Sequence, residues 1–379
     1  MAEDLEHLEK WIDEILSTIQ TLLKEKQDKD ILVFMIGNTS QDTGGGRPYV
    51  TPIRKIYNGY VFGSVVYSQT QATILSSKID GLVDYIFVDA EKKIPPKQNP
   101  DHSPFDFFGM ENKNLNPEGL IEYGNISSIC AQVIKESHMF AYKGNDITVD
   151  TTWLFLIEKF RELSGKKILV YGSGNIGNKL SLKLIECGCN VILVSRDPSR
   201  STRLIDSLNK IKSQNALSSI TTSDEPNESS IGVDAIIGCT NKEPVITESM
   251  ISNMSGNGVV IDIGKGTAHQ EAIEECNKRG IDIWRLDITA IINSLIQSSR
   301  SMKNLLSNSF GRRQLSNGAF VVSGGFMGSK YDVIVDSYLH PRSIVGVCEG
   351  NGKIFFDLDS KAQKEMNLVE AHIKSEQGS

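Results

Sequence analysis

The sequence lacks the apolar run of about 20 residues that a membrane-spanning helix needs. Its longest apolar stretches, such as residues 232–238, are far shorter, and its first residues are acidic rather than signal-like. It also lacks an excess of basic residues: 40 Lys and Arg stand against 47 Asp and Glu, a formal net charge of -7. Nucleic-acid surfaces need clustered Lys and Arg. We therefore expect a cytoplasmic protein with neither a membrane nor a nucleic acid as its partner.

Metal-binding patterns are missing as well. The six cysteines are scattered, and the close pair Cys187 and Cys189 has neither the spacing of a CxxC redox motif nor that of a zinc site. The histidines form no HExxH or other paired pattern. We expect reduced, mostly buried thiols and no metal.

The length of 379 residues predicts two domains. Residues 1–30 carry apolar side chains at spacings of three and four, which indicates an amphipathic helix that docks on its own domain or on a second subunit. Residues 31–150 predict an N-terminal α/β substrate domain, and residues 151–290 a nucleotide-binding domain. Residues 291–379 either pack back on the first domain or form an oligomer contact, and we expect a homo-oligomer.

Strands alternate with helices through both predicted domains. In the first domain we predict strands at 31–37, 60–67 and 83–88 and a helix at 121–140, and a predicted helix at 151–163 leads into the first strand of the second domain. In the second domain the predicted strands are 168–171, 190–194, 235–238, 259–263 and 281–286. This alternation indicates the α/β class, with a C-terminal Rossmann doubly wound parallel sheet and a separate N-terminal α/β domain.

A glycine-rich turn follows the first strand of the second domain and opens its first helix. It consists of Gly172, Ser173, Gly174, Asn175, Ile176 and Gly177. The first glycine permits the tight turn, the second lets a pyrophosphate approach the backbone, and the third lets helix and strand pack closely. The turn predicts a dinucleotide cofactor at the helix N-terminus.

The end of the next strand indicates which nicotinamide cofactor fits. NAD sites place an acidic residue there, on the ribose 2'-hydroxyl, whereas this chain has Ser195, Arg196 and Asp197, with Arg200 nearby. A hydroxyl followed by a guanidinium suits a 2'-phosphate. The pattern favours NADP(H) over NAD, although Asp197 as a ribose ligand and Arg196 as a solvated loop charge remain alternatives.

Two later strand ends supply further candidate cofactor contacts. Cys239, Thr240 and Asn241 follow one predicted strand, and Gly264 follows the next. The carboxyl ends of parallel strands are where open α/β sheets bind ligands.

The segments around these residues resemble the amino-acid-dehydrogenase-like Rossmann enzymes, which include shikimate dehydrogenases, glutamyl-tRNA reductases and methylene-tetrahydrofolate dehydrogenases. The resemblance covers the cofactor domain and rests on residues 233–240, 243–247 and 260–264. Residues 148–150 and 50–55 resemble two shikimate-dehydrogenase segments. That resemblance implies Lys55 and Asp150 as a proton-transfer pair, while Asp150 has an alternative role as the cap of a helix starting at Thr151.

Other polar residues are candidates for substrate chemistry. Lys143 and Asp146 precede the predicted helix between the domains, so this pair could transfer a proton to a substrate. Arg47, in a glycine-rich segment that includes Gly44 and Gly45, could bind a substrate carboxylate. The alternative for each lysine is a solvated surface position, and for Arg47 the tip of a mobile hairpin.

Together these residues predict an NADP-dependent oxidoreductase that moves a hydride between the nicotinamide and a C=O or C=N group of a small polar substrate. One alternative is a reductase of an activated acyl group resembling glutamyl-tRNA reductase. Another is an NADP sensor or scaffold that keeps the fold without catalysis.

Overall fold

The structure is a computed structural model that describes residues 2–39, 46–94, 97–98, 120–121, 125–241 and 243–377. The chain divides into two compact units, Met1–Asn293 and Ser294–Ser379. The division lies close to the predicted boundary at residue 290. No helix in the described part of the chain is long and apolar enough to cross a bilayer.

The first sheet lies at the start of the larger unit. Its strands are β1 (Ile31–Asn38), β2 (Tyr49–Ile56), β3 (Gly59–Val66), β4 (Tyr85–Asp89) and β7 (His138–Tyr142), and β5 (Lys97–Gln98) and β6 (Leu120–Ile121) form a separate pair. The strand order is β2-β3-β1-β4-β7, parallel except for the antiparallel edge strand β2. The central strand β1 is apolar and almost wholly buried, which is typical of a parallel strand covered on both faces.

Three helices cover this sheet: α1 (Ala2–Glu25), α2 (Gln69–Ile79) and α3 (Ile126–Val133). The apolar stripe of α1 is buried in the core of its own domain, with Trp11, Ile15 and Ile19 at most 3% exposed. The Trp11 indole donates a hydrogen bond to the Ser64 hydroxyl of β3, at 2.9 Å. Docking on its own domain, one of the two predicted alternatives for this helix, is therefore what the structure shows.

The second sheet completes the larger unit. Its strands are β8 (Lys167–Tyr171), β9 (Asn190–Val194), β10 (Ile220–Ser223), β11 (Ala235–Gly238), β12 (Val259–Asp262) and β13 (Asp282–Arg285). Its helices are α4 (Gly144–Phe160), α5 (Asn175–Glu186), α6 (Pro198–Ile211), α7 (Pro226–Ser229), α8 (Glu248–Asn253) and α9 (Gln270–Arg279). All strands are parallel in the order β10-β9-β8-β11-β12-β13, which is the Rossmann order. The predicted α/β class with a doubly wound parallel sheet is confirmed.

The smaller unit contains a four-stranded sheet. Its strands, in the order in which they pair, are β14 (Gly311–Gln314), β15 (Phe320–Ser323), β16 (Val333–Val335) and β17 (Ile344–Val347). Helix α10 (Thr289–Asn308) leads into this unit, and α11 (Ser360–Gln377) buries Ala362, Val369 and Ile373 against the valines of the sheet.

Two of the predicted helices have other bounds in the structure. The predicted helix at 121–140 is the shorter α3 followed by β7, whose Phe140 packs on Tyr85 and Phe87 of the neighbouring β4. Cross-strand aromatic packing here outweighs a local helical pattern. The helix predicted to start at Thr151 starts at Gly144. Asp150 therefore lies inside α4 and does not cap it.

Candidate functional site

Each sheet of the larger unit has a point where the strand order reverses direction. In the first sheet it lies between β1 and β4, and in the second between β8 and β11. Parallel sheets bind ligands outside the carboxyl ends of their strands at such points. Asn38, Ala90, Gly174 and Cys239, which stand at or after the ends of these four strands, line one pocket of about 810 Å³. Both reversal points therefore face the same cavity, called here the first pocket.

The glycine-rich turn forms one wall of the first pocket. Gly172 has φ +118°, and a Cβ there would lie 3.0 Å from the Cys239 carbonyl carbon. A Cβ on Gly177 would lie 1.9 Å from the Gly172 carbonyl oxygen, whereas a Cβ on Gly174 would meet no described atom within 4 Å. The turn is thus packed tightly at two glycines and open at the third. This matches the roles of the three glycines in a dinucleotide-binding turn.

Helix α5 starts at Asn175, directly after the exposed Gly174. Glycine has no side chain with which to cap the first-turn amides, and Asn175 and Ile176 line the first pocket. Uncapped amides and the positive end of the helix dipole together attract anions. The wall therefore suits a phosphate group.

A second pocket of about 680 Å³ adjoins the first. The two pockets share Thr39, Ile176, Cys239 and Asn241. The second pocket extends along the ends of β11 and β12, where Thr240, Ile263, Gly264 and Lys265 line it, and its opposite wall contains His7, Arg47, Tyr49 and Tyr67. Gly264 is required for this shape, because a Cβ there would lie 1.7 Å from the Thr240 carbonyl oxygen.

A cluster of ion pairs joins the two sheets beside the first pocket. Lys179 of α5 donates to Asp146 at 2.6 Å and to Glu91 at 3.2 Å. Lys93 contacts Glu91 at 3.2 Å and the buried Asp89 at 2.6 Å. The helix that follows the glycine-rich turn is thereby tied to the loop after β4.

The same carboxylates hold the amino end of α4. The backbone amide of Asn145 donates to Glu91 at 2.8 Å, and that of Gly144 donates to Asp89 at 3.4 Å. A Cβ on Gly144 would lie 2.9 Å from the Lys93 ammonium nitrogen, so glycine leaves space for this approach. Negative charge at a helix N-terminus is stabilising, and this explains why α4 begins before Thr151.

These contacts shift the pKa values of the cluster. Burial alone would raise the pKa of Glu91, but the Asn145 amide and the Lys93 and Lys179 ammonium groups hold it below its ordinary value. Lys143 and Lys179 likewise outweigh burial and lower the pKa of Asp146. The pKa of Lys179 is raised, because its two carboxylate partners outweigh its burial. Glu91, Asp146 and Lys179 are therefore ionised at neutral pH.

Most predicted residues of the turn and the strand ends lie at the two pockets. Gly174, Asn175, Ile176, Cys239, Thr240, Asn241 and Gly264 line one or both, and Arg47 lines the second pocket. Gly44 and Gly45 lie outside the described residues. Gly172, Ser173 and Gly177 complete the turn behind this lining. Lys143 lines the first pocket and forms an ion pair with Asp146.

The structure does not bring Lys55 and Asp150 together in a pocket. Lys55 pairs with Tyr60 near the amino end of β3, whereas the pockets lie beyond the carboxyl ends of the parallel strands. Asp150 is within α4 and forms an ion pair with Lys183 of α5. The proton-transfer pair implied by the resemblance is therefore not assembled, because β2 runs antiparallel and carries Lys55 away from the cleft.

The residues predicted to select the cofactor stand at the end of β9. The Ser195 hydroxyl contacts the Ser201 hydroxyl and the Asp197 carbonyl oxygen. The Arg196 side chain is 86% exposed and lies 3.4 Å from the Glu243 carboxylate. The side chain of Arg200 is outside what the structure describes.

Sequence reasoning missed several pocket residues. Glu91, Lys93 and Lys179 acquire their role only through contacts between distant segments. Lys265 could have been found, because it follows Gly264 at a predicted strand end. Among the described residues, no group of three His, Cys, Asp or Glu side chains could hold a metal ion.

Part of the chain is similar to a known protein family. Residues 156–282, about one third of the chain, match the family described as shikimate/quinate 5-dehydrogenase. This segment contains most of the second sheet, so the family match falls on the predicted cofactor domain. The predicted resemblance is thus confirmed for the cofactor domain. No curated protein sequence matches the chain.

Several solved structures are similar to the chain. A dipicolinate synthase from Bacillus halodurans is 15% identical, with 72% of this chain and 98% of that chain covered and a TM-score of 0.34. A shikimate dehydrogenase in complex with NADP+ is 14% identical, with 69% and 85% covered and a TM-score of 0.36. Glutamyl-tRNA reductase from Methanopyrus kandleri is 16% identical, with 42% and 39% covered and a TM-score of 0.32. Scores of this size do not show a shared arrangement of the whole chain.

Replacing Gly177 with Ala should destabilise the larger unit by about 2 kcal/mol, within the range of overpacked sites, because the new Cβ would meet the Gly172 carbonyl oxygen. Gly174→Ala is the matched control and should change the free energy of unfolding by less than about 0.5 kcal/mol. Urea unfolding measures both. Equal losses in the two variants would contradict the described packing.

Lys179→Met should lower the free energy of unfolding by about 1 kcal/mol at neutral pH. Because the folded pKa values of Glu91 and Asp146 are depressed, their stabilising contribution is complete above their unfolded pKa values and is lost as pH falls through the folded ones. The difference from wild type should therefore shrink below about pH 4. Urea unfolding across pH, with exposed Lys135→Met as control, measures it. A difference independent of pH would contradict the ion-pair account.

Proposed function

We propose that this chain is an NADP(H)-dependent oxidoreductase that transfers a hydride between the nicotinamide and a C=O or C=N group of a small polar substrate. The observation that carries the proposal is the single cleft onto which both reversal points open. A dinucleotide on the second sheet would then lie directly opposite the carboxyl edge of the first sheet.

The strand order supports one path for the dinucleotide. Its adenosine would lie near the end of β9, its pyrophosphate on the open Gly174, and its nicotinamide near the ends of β11 and β12. The first pocket then takes the pyrophosphate, and the second takes the nicotinamide and the substrate. Lys143 stands beside the glycine-rich turn, so we propose it for anion binding rather than for proton transfer.

Charge favours an anionic substrate in the second pocket. Arg47 and Lys265 line it, in a chain whose formal net charge is -7. Arginine binds carboxylates through paired hydrogen bonds. We propose Arg47 as the residue that holds a substrate carboxylate.

Direct hydride transfer is favoured over the acyl-reductase alternative. A thioester mechanism needs a thiolate nucleophile. Cys239 lines both pockets, but burial raises the pKa of its thiol to about 12. This thiol stays protonated at neutral pH, so it is a poor nucleophile.

Activity is tested with purified protein, NADPH and a panel of small oxo acids, ketones and cyclic imines. We expect loss of reduced-nicotinamide absorbance with at least one anionic substrate, and a rise of tenfold or more in KM for that substrate in Arg47→Ala. The matched control is Arg54→Ala. Arg54 lies in β2, the strand that follows Arg47, and lines neither of the two pockets. Tight NADPH binding without turnover across the panel would support the sensor alternative, and binding of neither NADPH nor NADH would contradict the proposal.

Cofactor choice is tested at Arg196. Arg196→Ala should weaken NADPH binding about tenfold and leave NADH binding unchanged, since only NADPH carries the 2'-phosphate that a charge-assisted bond would hold. Glu243→Gln should tighten NADPH binding about twofold, because it removes the carboxylate that faces the guanidinium at 3.4 Å. Fluorescence titration of wild type and both variants with NADPH and with NADH measures these affinities. Equal effects on both cofactors would contradict the choice of NADP(H).

A further inference from the structure

The loop after β12 holds a lysine in an unusual backbone conformation. Lys265 has φ +64°, and it lies between Gly264 and Gly266, which has φ +114°. Residues with a side chain rarely adopt the left-handed region, where Asn and Gly are the common occupants. Such outliers persist only where the surrounding structure enforces them, and they cluster at functional sites.

The surroundings enforce this conformation. The Asp262 carboxylate accepts hydrogen bonds from the Gly266 amide at 2.7 Å and from the Thr267 amide and hydroxyl at 3.3 and 2.8 Å. On the other side of Lys265, Gly264 packs against the Thr240 carbonyl oxygen. The loop is thus fixed at both ends of the lysine.

This conformation presents Lys265 to the second pocket. The residue is exposed and lines that pocket together with Thr240 and Gly264. Among the ion pairs and hydrogen bonds of the described residues, none involves the Lys265 ammonium group. Three lysines of the first pocket differ in this respect, because Lys93, Lys143 and Lys179 are all paired with carboxylates.

We propose that Lys265 is the residue that donates and accepts the proton during hydride transfer; this rests on the proposed function. In reduction, the hydride moves from NADPH to the substrate carbon, and the electron pair of the C=O or C=N bond takes a proton from the Lys265 ammonium group. The products are NADP+, an alcohol or amine, and a neutral lysine that regains its proton from water. In oxidation, each step runs in reverse.

Three other titratable side chains of the second pocket fit this role less well. Arg47 cannot release its proton near neutral pH. Burial, followed by the neighbouring Tyr67, raises the pKa of Tyr49, which makes its hydroxyl a weaker acid. The His7 ring nitrogen lies 3.4 Å from the Pro48 carbonyl oxygen, so it is engaged at the wall of the pocket.

The kinetic test uses Lys265→Gly, because glycine keeps a positive φ without strain and leaves the space of the side chain empty. We expect kcat to fall at least 100-fold, while the NADPH dissociation constant changes less than about threefold. Added methylamine should restore part of the activity by supplying the missing proton donor. Lys265→Arg keeps the charge but cannot transfer the proton, and it should stay as slow as Lys265→Gly.

A second test of the Lys265 proposal needs no substrate. Acylation of lysines with acetic anhydride, read by mass spectrometry, should show Lys265 protected at least fivefold by saturating NADP+, with the exposed Lys135 at the opposite end of the first sheet unchanged.

The outcomes separate the two proposals. If NADP+ neither binds nor protects Lys265, or if wild type turns over no substrate, the proposed function fails and this inference falls with it. If wild type is active but Lys265→Gly keeps its kcat, if Lys265→Arg restores it, or if the loss lies wholly in KM, the proton-transfer role alone is overturned.

Discussion

The site depends on how the amino end of α4 is held. Asp89 and Glu91, at and just beyond the end of β4, accept hydrogen bonds from the first amides of this helix. Because α4 then leads into β8, its position determines which edge of the second sheet faces the first. Lys179 adds a second link, from Glu91 and Asp146 to the helix after the glycine-rich turn. With these contacts, the carboxyl ends of both parallel sheets border one cavity.

Under the proposed function, that constraint gives the two pockets of the cleft different roles. The first pocket contains the open Gly174 and lysines that are paired with carboxylates. This arrangement suits the binding of phosphates. The second pocket contains Arg47, Thr240 and Lys265. We propose that Arg47 binds the substrate anion there and that Lys265 is the proton donor beside the reacting carbon. A dinucleotide lying across both pockets would connect them.

The cofactor domain could be predicted well from the sequence, because its signals are local. Gly172 to Gly177 stand between an apolar strand and an amphipathic helix, and β9 and β11 coincide with their predicted bounds. The edge strand β10 was missed because its segment is mostly polar. Glu91 and Lys179 could not be predicted, since their roles depend on segments far apart in the chain. Lys55 lies away from the cleft because its strand, β2, is antiparallel to the rest of the sheet.

The most direct test of the account is a crystal structure of the protein with NADPH. We expect the pyrophosphate within hydrogen-bond distance of the Asn175 and Ile176 amides, and the nicotinamide C4 facing the second pocket beside Gly264 and Lys265. A nicotinamide bound at the end of β9, or a dinucleotide bound away from the glycine-rich turn, would contradict it.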